Sequence, residues 1–466
     1  ADGTTNLDPL LQRTNAVPET TVSQTVINIG KVQIGKSSVR YSRLASDRSS
    51  HNTEIRDLDL SMENLRNGQS GKIALDAVLT QTLSPPPAST NKPAKLMAKV
   101  NGGFDFTLQQ NLFPSSIKGN VRLAVNEAEG DFQDLAKVNG QLNCEVTPEE
   151  VREVALRFDR DGQALGQVRV RGPIDLGKQN ARLTLEVAGV DRHVLNLFGA
   201  PFGLDFGDTV ISASGILDVG QRASAIAATG KASAANFSVR QTDLTTPPLD
   251  LQLDYQFNVN LNDKSAVVHK FGLVGKAKQE EIVRASLDRS LNLSWGQAIH
   301  GLNESVVSLA VKDLRLSDWW VFLGTNAPTG TLNATARLTF QNDGRRIPAD
   351  IALRVQDMAA RFGTNPVVRL QQGAAELQAS ATFNEFRSFL VDQYRLQVSE
   401  TGLRLFTATG SAGYDLVTKD ASLQVAIEAD LPALAGLYPM PDLTIADGRA
   451  SVGALLSQEK GQQRLG

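Results

Sequence analysis

The chain has 466 residues, 41% of them hydrophobic and 21% charged, with a net charge of −3 at pH 7. That balance excludes a disordered chain, and the length exceeds the roughly 250–300 residues at which one core stops growing, leaving several domains or one elongated array. Both signs of charge are interspersed, so there is no basic footprint for nucleic acid or for an anionic membrane surface.

The first 25 residues are polar and weakly patterned, and strand-like text begins with Val26 to Ile29, Val32 to Ile34 and Val39 to Ser42. Inside it, Gly30-Lys31-Val32-Gln33-Ile34-Gly35-Lys36-Ser37 matches the G-x-x-x-x-G-K-[ST] phosphate loop letter for letter. A working loop needs a helix starting at the lysine, whose free N–H groups face the phosphates. Here Val39-Arg40-Tyr41 follows, rich in strand formers, and no alternation of strand and helix comes after it. Two short strands with a glycine kink are expected instead of a nucleotide site.

Leu58, Leu60 and Met62 then alternate with Asp57, Asp59, Ser61 and Glu63, and Ile73, Leu75, Ala77 and Leu79 continue the theme. Successive strand side chains leave on opposite sides, so a period of two gives one apolar and one polar face. Residues 83–95, which include Pro85, Pro86 and Pro87, interrupt it, because proline cannot donate to a ladder. They read as a loop or linker between an N-terminal strand group over 1–82 and a long antiparallel β region over 96–466.

From Phe104 onward short strands alternate with Gly, Asn and Asp, the spacing of successive hairpins. Cys144, the only cysteine, shares a strand face with Leu142 and Val146 and reads as a small buried hydrophobe. Four segments look like short helices capping a strand layer, at 131–138, 191–198, 317–323 and 431–438, each with an acidic or hydroxyl residue near its start. Their spacing makes a loose repeat of strands followed by a short apolar helix. Trp319 and Trp320, in the third, are expected to pack on the strands rather than to sit at a membrane interface.

The longest alternation runs through Leu249, Leu251, Leu253, Tyr255, Phe257, Val259 and Leu261 against Asp250, Gln252, Asp254, Gln256, Asn258 and Asn260. Leu332, Leu338 and Phe340 carry it later, as do Leu423, Val425 and Ile427. No ionised group interrupts the apolar side of Leu249 to Leu261.

Candidates for chemistry are few. His51, His193, His269 and His300 are scattered, without partners at ligand spacing, and the carboxylates sit on polar strand faces. No nucleophile elbow and no dinucleotide turn occurs. The expectation is a protein that is not an enzyme and holds no metal or cofactor. No stretch reaches the roughly 18–20 apolar residues of a membrane-spanning helix.

The segment from Val26 to Leu65 resembles the AsmA-like family of bacterial envelope proteins. Lys31, Val32, Ile34, Val39 and Tyr41 match its strand pair, and Asp57, Leu58, Leu60, Met62 and Leu65 match the strand after it. The stretch from Glu428 to Ser451 is similar to the strand, short helix and strand unit of AsmA and TamB-type proteins, and Ala188 to Gly199 echoes it. The family's usual N-terminal membrane anchor is not among these residues.

The resemblance implies an elongated, curled antiparallel sheet that forms an open apolar groove. It also implies a periplasmic location, inner-membrane anchoring by a segment outside this chain, and conduction of phospholipid or another acyl lipid between inner and outer membranes in support of outer-membrane biogenesis. Membranes would be met at the ends of the groove. The thirteen residues from Leu249 to Ile427 named above are the candidate groove lining. The same alternation suits a structural or adhesive protein whose apolar faces close on each other as a sandwich or solenoid core, because a half-buried strand looks alike over side chains or acyl chains.

Overall fold

The computed structural model describes residues 26–45, 48–86, 93–241, 243–296, 304–324, 326–362, 368–385, 387–437, 445–459 and 462–465. Of these, 73% lie in strands and 8% in helices, so the chain is all-β, as its alternation predicts. The strands begin with β1 (Asn28–Leu44), β2 (Ser50–Arg66), β3 (Ser70–Ser84), β4 (Ala94–Leu108), β5 (Pro114–Glu129) and β6 (Val138–Val146). Next come β7 (Glu150–Arg160), β8 (Gln163–Asp175), β9 (Asn180–Asp191), β10 (Val210–Gly220) and β11 (Ala225–Phe237). A separate two-stranded hairpin, β12 (Arg240–Gln241) and β13 (Leu244–Thr245), precedes β14 (Leu249–Asn260) and β15 (Ser265–Ala277). The chain continues through β16 (Glu280–Leu287), β17 (Leu291–Ser294), β18 (Ser305–Arg315), β19 (Thr331–Phe340) and β20 (Arg346–Phe362). It ends with β21 (Val368–Asn384), β22 (Ser388–Glu400), β23 (Leu403–Asp415), β24 (Ala421–Asp430), β25 (Arg449–Glu459) and β26 (Gln462–Leu465).

Among the described residues, all strands but the small hairpin belong to one sheet of 24 strands, in which each pairs antiparallel with its neighbour in sequence. One local exception occurs: β16 and β17 share the edge of β15, and β18 then pairs with β16. The sheet is not closed on itself, which fits the expected curled, open form. β3 and β4 pair from Ser70↔Thr107 to Leu83↔Ala94, so the proline-rich stretch connects two neighbours in the same sheet.

Because successive strands reverse direction, connections fall alternately at two ends of the sheet. Among the described residues, every helical segment falls at the same end: between β5 and β6, β9 and β10, β18 and β19, and β24 and β25. The expected helix at 131–138 is a 3₁₀ segment, Gly130–Leu135, and Val138 already starts β6. Three-residue periodicity puts Phe132 and Leu135 on one side, and both are fully buried. The second helix is Arg192–Gly199, capped by the Asp191 carboxylate, which accepts from the His193 N–H at 3.0 Å. The third is a 3₁₀ turn, Leu316–Trp319, running into Trp320–Leu323. The fourth is Leu431–Leu437, where Asp430 accepts from the Ala433 N–H at 3.0 Å; Tyr438 lies outside the described residues.

These segments fold back over the apolar side of the strands. Phe132, Leu135, Val194 and Ala200 pack with Leu83, Ala94, Leu96, Ala98, Val125 and Val190 in one cluster. In a second, Leu316, Ala433, Leu434 and Leu437 meet Val355, Met358, Val398 and Leu405. Burial of this kind is worth about 25 cal/mol per Å², so the roof is where tertiary stability concentrates.

Candidate functional site

Register converts the sequence alternation into a continuous stripe. A single row of paired residues starts at Ile34, Leu60, Leu75, Gly102 and Val121. It proceeds through Leu142, Leu156, Val168, Val187 and Ala213, then Ala232, Leu253, Leu273 and Ala285. It ends with Leu309, Ala336, Ile351, Ala379, Tyr394, Gly410, Val425 and Ala454. No member is charged, and only Tyr394 carries a polar side-chain atom.

The candidate lining residues fall on this face. Leu251, Leu253, Tyr255, Phe257 and Val259 are on β14 beside Ala234, Ala232, Gly230, Ala228 and Ile226 of β11, with Leu249 buried at its start. Leu332 stands opposite Val355, Leu338 opposite Ala349, and Phe340 opposite Ser305. Leu423, Val425 and Ile427 stand opposite Leu456, Ala454 and Val452.

Leu261 departs from the expectation: β14 ends at Asn260, and Leu261 is 51% exposed in the turn. The Asn260 carboxamide oxygen accepts from the Asn262 and Asp263 N–H groups at 3.0 and 3.1 Å, an Asx turn that ends the strand one residue early.

Aromatic rings on the stripe lie over glycines. The Tyr255 and Phe257 rings stack with centroids 6.0 Å apart. A methyl group at Gly230 would come within 2.9 Å of Tyr255 Cζ, so only glycine leaves room for the ring.

At the N-terminal end of the stripe the face hollows into a cavity of about 420 Å³ lined by apolar residues of β2 to β7, among them Met62, Ile73, Phe104, Ile117, Leu142 and Cys144. Cys144 is half-buried, and desolvation pushes its thiol above the ordinary range. Sequence reasoning saw the alternation at Met62, Ile73 and Cys144 but did not single these residues out as lining, since a cavity depends on which strands curl together.

The roof carries the site's most developed polar network. Buried Asn196 donates to Asp205 Oδ1 at 2.9 Å and accepts from the Phe206 N–H at 2.9 Å, and the Gly207 N–H also reaches Asp205 at 3.0 Å. Burial raises the Asp205 carboxyl, but the Asn196 amide, the Gly207 N–H and the Arg240 and Arg192 charges outweigh it and hold the group below the usual range.

The phosphate-loop match lies inside β1, an extended strand with register shifts around Ser37 and no helix after Lys36. The two short strands with a glycine kink expected there are instead one strand with a bulge, and the positive φ falls on Lys36 (46°) rather than on Gly30 or Gly35. His193 Nδ1 pairs with Asp191 Oδ2 at 3.0 Å, and His269 Nε2 lies 3.0 Å from the Asn258 amide. His51 is on β2, and His300 lies outside the described residues. Trp319 and Phe322 stack with centroids 6.1 Å apart. Among the described residues, no group of His, Cys, Asp and Glu could hold a metal, and no helix is long and apolar enough to cross a membrane. Comparison with family models, curated proteins and solved structures returns no match.

Proposed function

We propose that this protein carries or scaffolds acyl lipid along the apolar face of its sheet, as a component of the bacterial envelope between inner and outer membranes. The observation that carries the reading is the uncharged row from Ile34 to Ala454, which runs past every long strand without an ionised group. An acyl chain leaving a bilayer for water loses about 0.8 kcal/mol per CH₂, on the order of 10 kcal/mol per chain. A continuous apolar surface removes most of that barrier without catalytic groups. The envelope location and inner-membrane anchoring rest on the resemblance of the strand pair at Lys31 to Tyr41 and of the Glu428 to Ser451 unit to AsmA-like proteins.

A closed core, as in a structural or adhesive protein, needs something to cover the face. Among the described residues the only other sheet is the hairpin of β12 and β13, and Leu423 and Ile427 are 38% and 36% exposed.

The single thiol gives a direct test, because Cys144 lines the apolar cavity. Native mass spectrometry of the purified protein should reveal bound phospholipid. After delipidation, maleimide should label Cys144 faster, and phosphatidylglycerol vesicles should slow it again. Absence of bound lipid together with unchanged labelling would refute the proposal.

A further inference from the structure

A concavity among the described residues lies away from the apolar face. A trough of about 810 Å³ crosses β16 to β23, and a second hollow of about 440 Å³ continues it, sharing Ala310, Thr335, Ala352 and Gln378. Register fixes the side on which it lies. One lining row runs Arg284, Ala310, Thr335, Ala352, Gln378 and Arg395, and the other Ser286, Ser308, Arg337, Asp350, Ser380 and Gln393. Both alternate with Leu309, Ala336 and Ile351 of the apolar row, so their side chains leave on the opposite, hydrophilic face.

Its charge runs against that of the protein. Arg284, Lys312, Arg337, Arg354 and Arg395 border the two hollows against Asp350 and Glu376, in a chain whose net charge is −3. Arg354 pairs with Glu376 at 3.2 Å, and Arg284 is held by Glu281. Asp350 stands opposite Arg337 in register but accepts from the Ser380 hydroxyl at 3.2 Å. Arg337 and Arg395 are exposed and have no carboxylate in ion-pair reach among the described residues.

Arg337 is on β19 and Arg395 on β22, three strand spacings apart, or about 14 Å. One small anion does not span that gap, but a chain with spaced acidic groups does. Between the two arginines β20 and β21 present Asp350, Gln378 and Ser380 around the flat methyl group of Ala352; the hydroxyl and the amide donate and accept as sugar hydroxyls require, and the Asp350 carboxylate accepts from them. The one aromatic residue at its border, Tyr394, belongs to the apolar row, so nucleobases would find no ring to stack on.

We propose that this trough binds an extended anionic oligosaccharide, lying across the strands with acidic groups at Arg337 and Arg395. It uses the face opposite the apolar stripe and stands apart from the lipid reading.

The probe is fluorescein-labelled hexagalacturonate, titrated into the full chain at low salt and followed by anisotropy, with a neutral maltohexaose and an oligo(dT) for comparison. Saturable binding is expected for hexagalacturonate alone, weakened about tenfold by Arg337→Ala or Arg395→Ala, the loss of one charge-assisted contact. Arg182→Ala, at an exposed arginine on β9, should leave binding unchanged, and all three variants should melt like the parent. The proposal is overturned by no saturable binding, by equal loss in Arg182→Ala, or by tighter oligo(dT) binding with the same arginine dependence.

Discussion

The region from β3 to β10 and the region from β18 to β25 follow the same alternation, yet they bury it differently. In the first, the 3₁₀ segment and the Arg192–Gly199 helix share one cluster, and Phe132, Leu135 and Val138 lose all exposure. In the second, the roof is split between Leu316 and the Leu431–Leu437 helix, whose own residues are only half-buried. Beyond it Leu423, Ile427 and Leu456 stay 36–41% exposed, and a hollow of about 810 Å³ opens on the hydrophilic side. A strand face therefore becomes a core only where another element arrives to cover it. Elsewhere the same residues remain a surface available to a ligand.

The sharpest test of that contrast is truncation on each side. Phe132→Ala should cost about 3–5 kcal/mol by opening a cavity under the first roof, whereas Leu423→Ala should cost less than about 1 kcal/mol, since little of its surface is buried. Equal losses in denaturant melts would erase the distinction between the regions.

The polar network of the first roof comes next. Asn196→Ala removes one of the partners of the Asp205 carboxylate and leaves the Phe206 N–H without its own, a loss of about 1–3 kcal/mol. Hydrogen exchange at Phe206 should accelerate in that variant and not at strands near β23.

Phe257→Asp separates an open face from a closed one. On an open stripe the carboxylate keeps part of its water, so the melt should fall by no more than about 2 kcal/mol while photo-crosslinked lipid at neighbouring positions drops. Collapse of the folding transition, with no lipid ever crosslinked in the parent, would favour a closed core. A smaller change, Asp191→Ala, removes the helix cap and should cost about 1 kcal/mol.

The smallest expected effect is a pH dependence confined to the first roof. The Asp205 carboxyl is depressed in the folded state, so its contribution is complete above the ordinary Asp range near pH 4 and fades as pH falls through the lower folded value. Exchange at Gly207 should quicken below about pH 4 in the parent and lose that pH dependence in Asp205→Asn. Indistinguishable pH profiles would remove Asp205 from the account.

Much of this architecture was legible from local pattern. The period of two from Leu249 to Val259 determines a two-faced strand, and acidic residues before apolar runs mark Asp191 and Asp430 as helix starts. The rejection of a phosphate loop followed from Val39 and Tyr41, and β1 is a strand there. The end of β14 was missed by one residue, because the Asn260 side chain competes for the backbone, an interaction hidden in a polar position of the alternation.

What the sequence determined by itself is the all-β class, the two faces of each strand and the sites of the helical turns, since these depend on backbone sterics and neighbours a few residues apart. Only the tertiary structure decided that the four described helical segments roof one end, that the stripe is unbroken from Ile34 to Ala454, and that one region hollows toward Cys144 and the other toward Arg337 and Arg395. The physical reason is that strand register, bulges and twist accumulate over many pairings. No short window of sequence contains that sum.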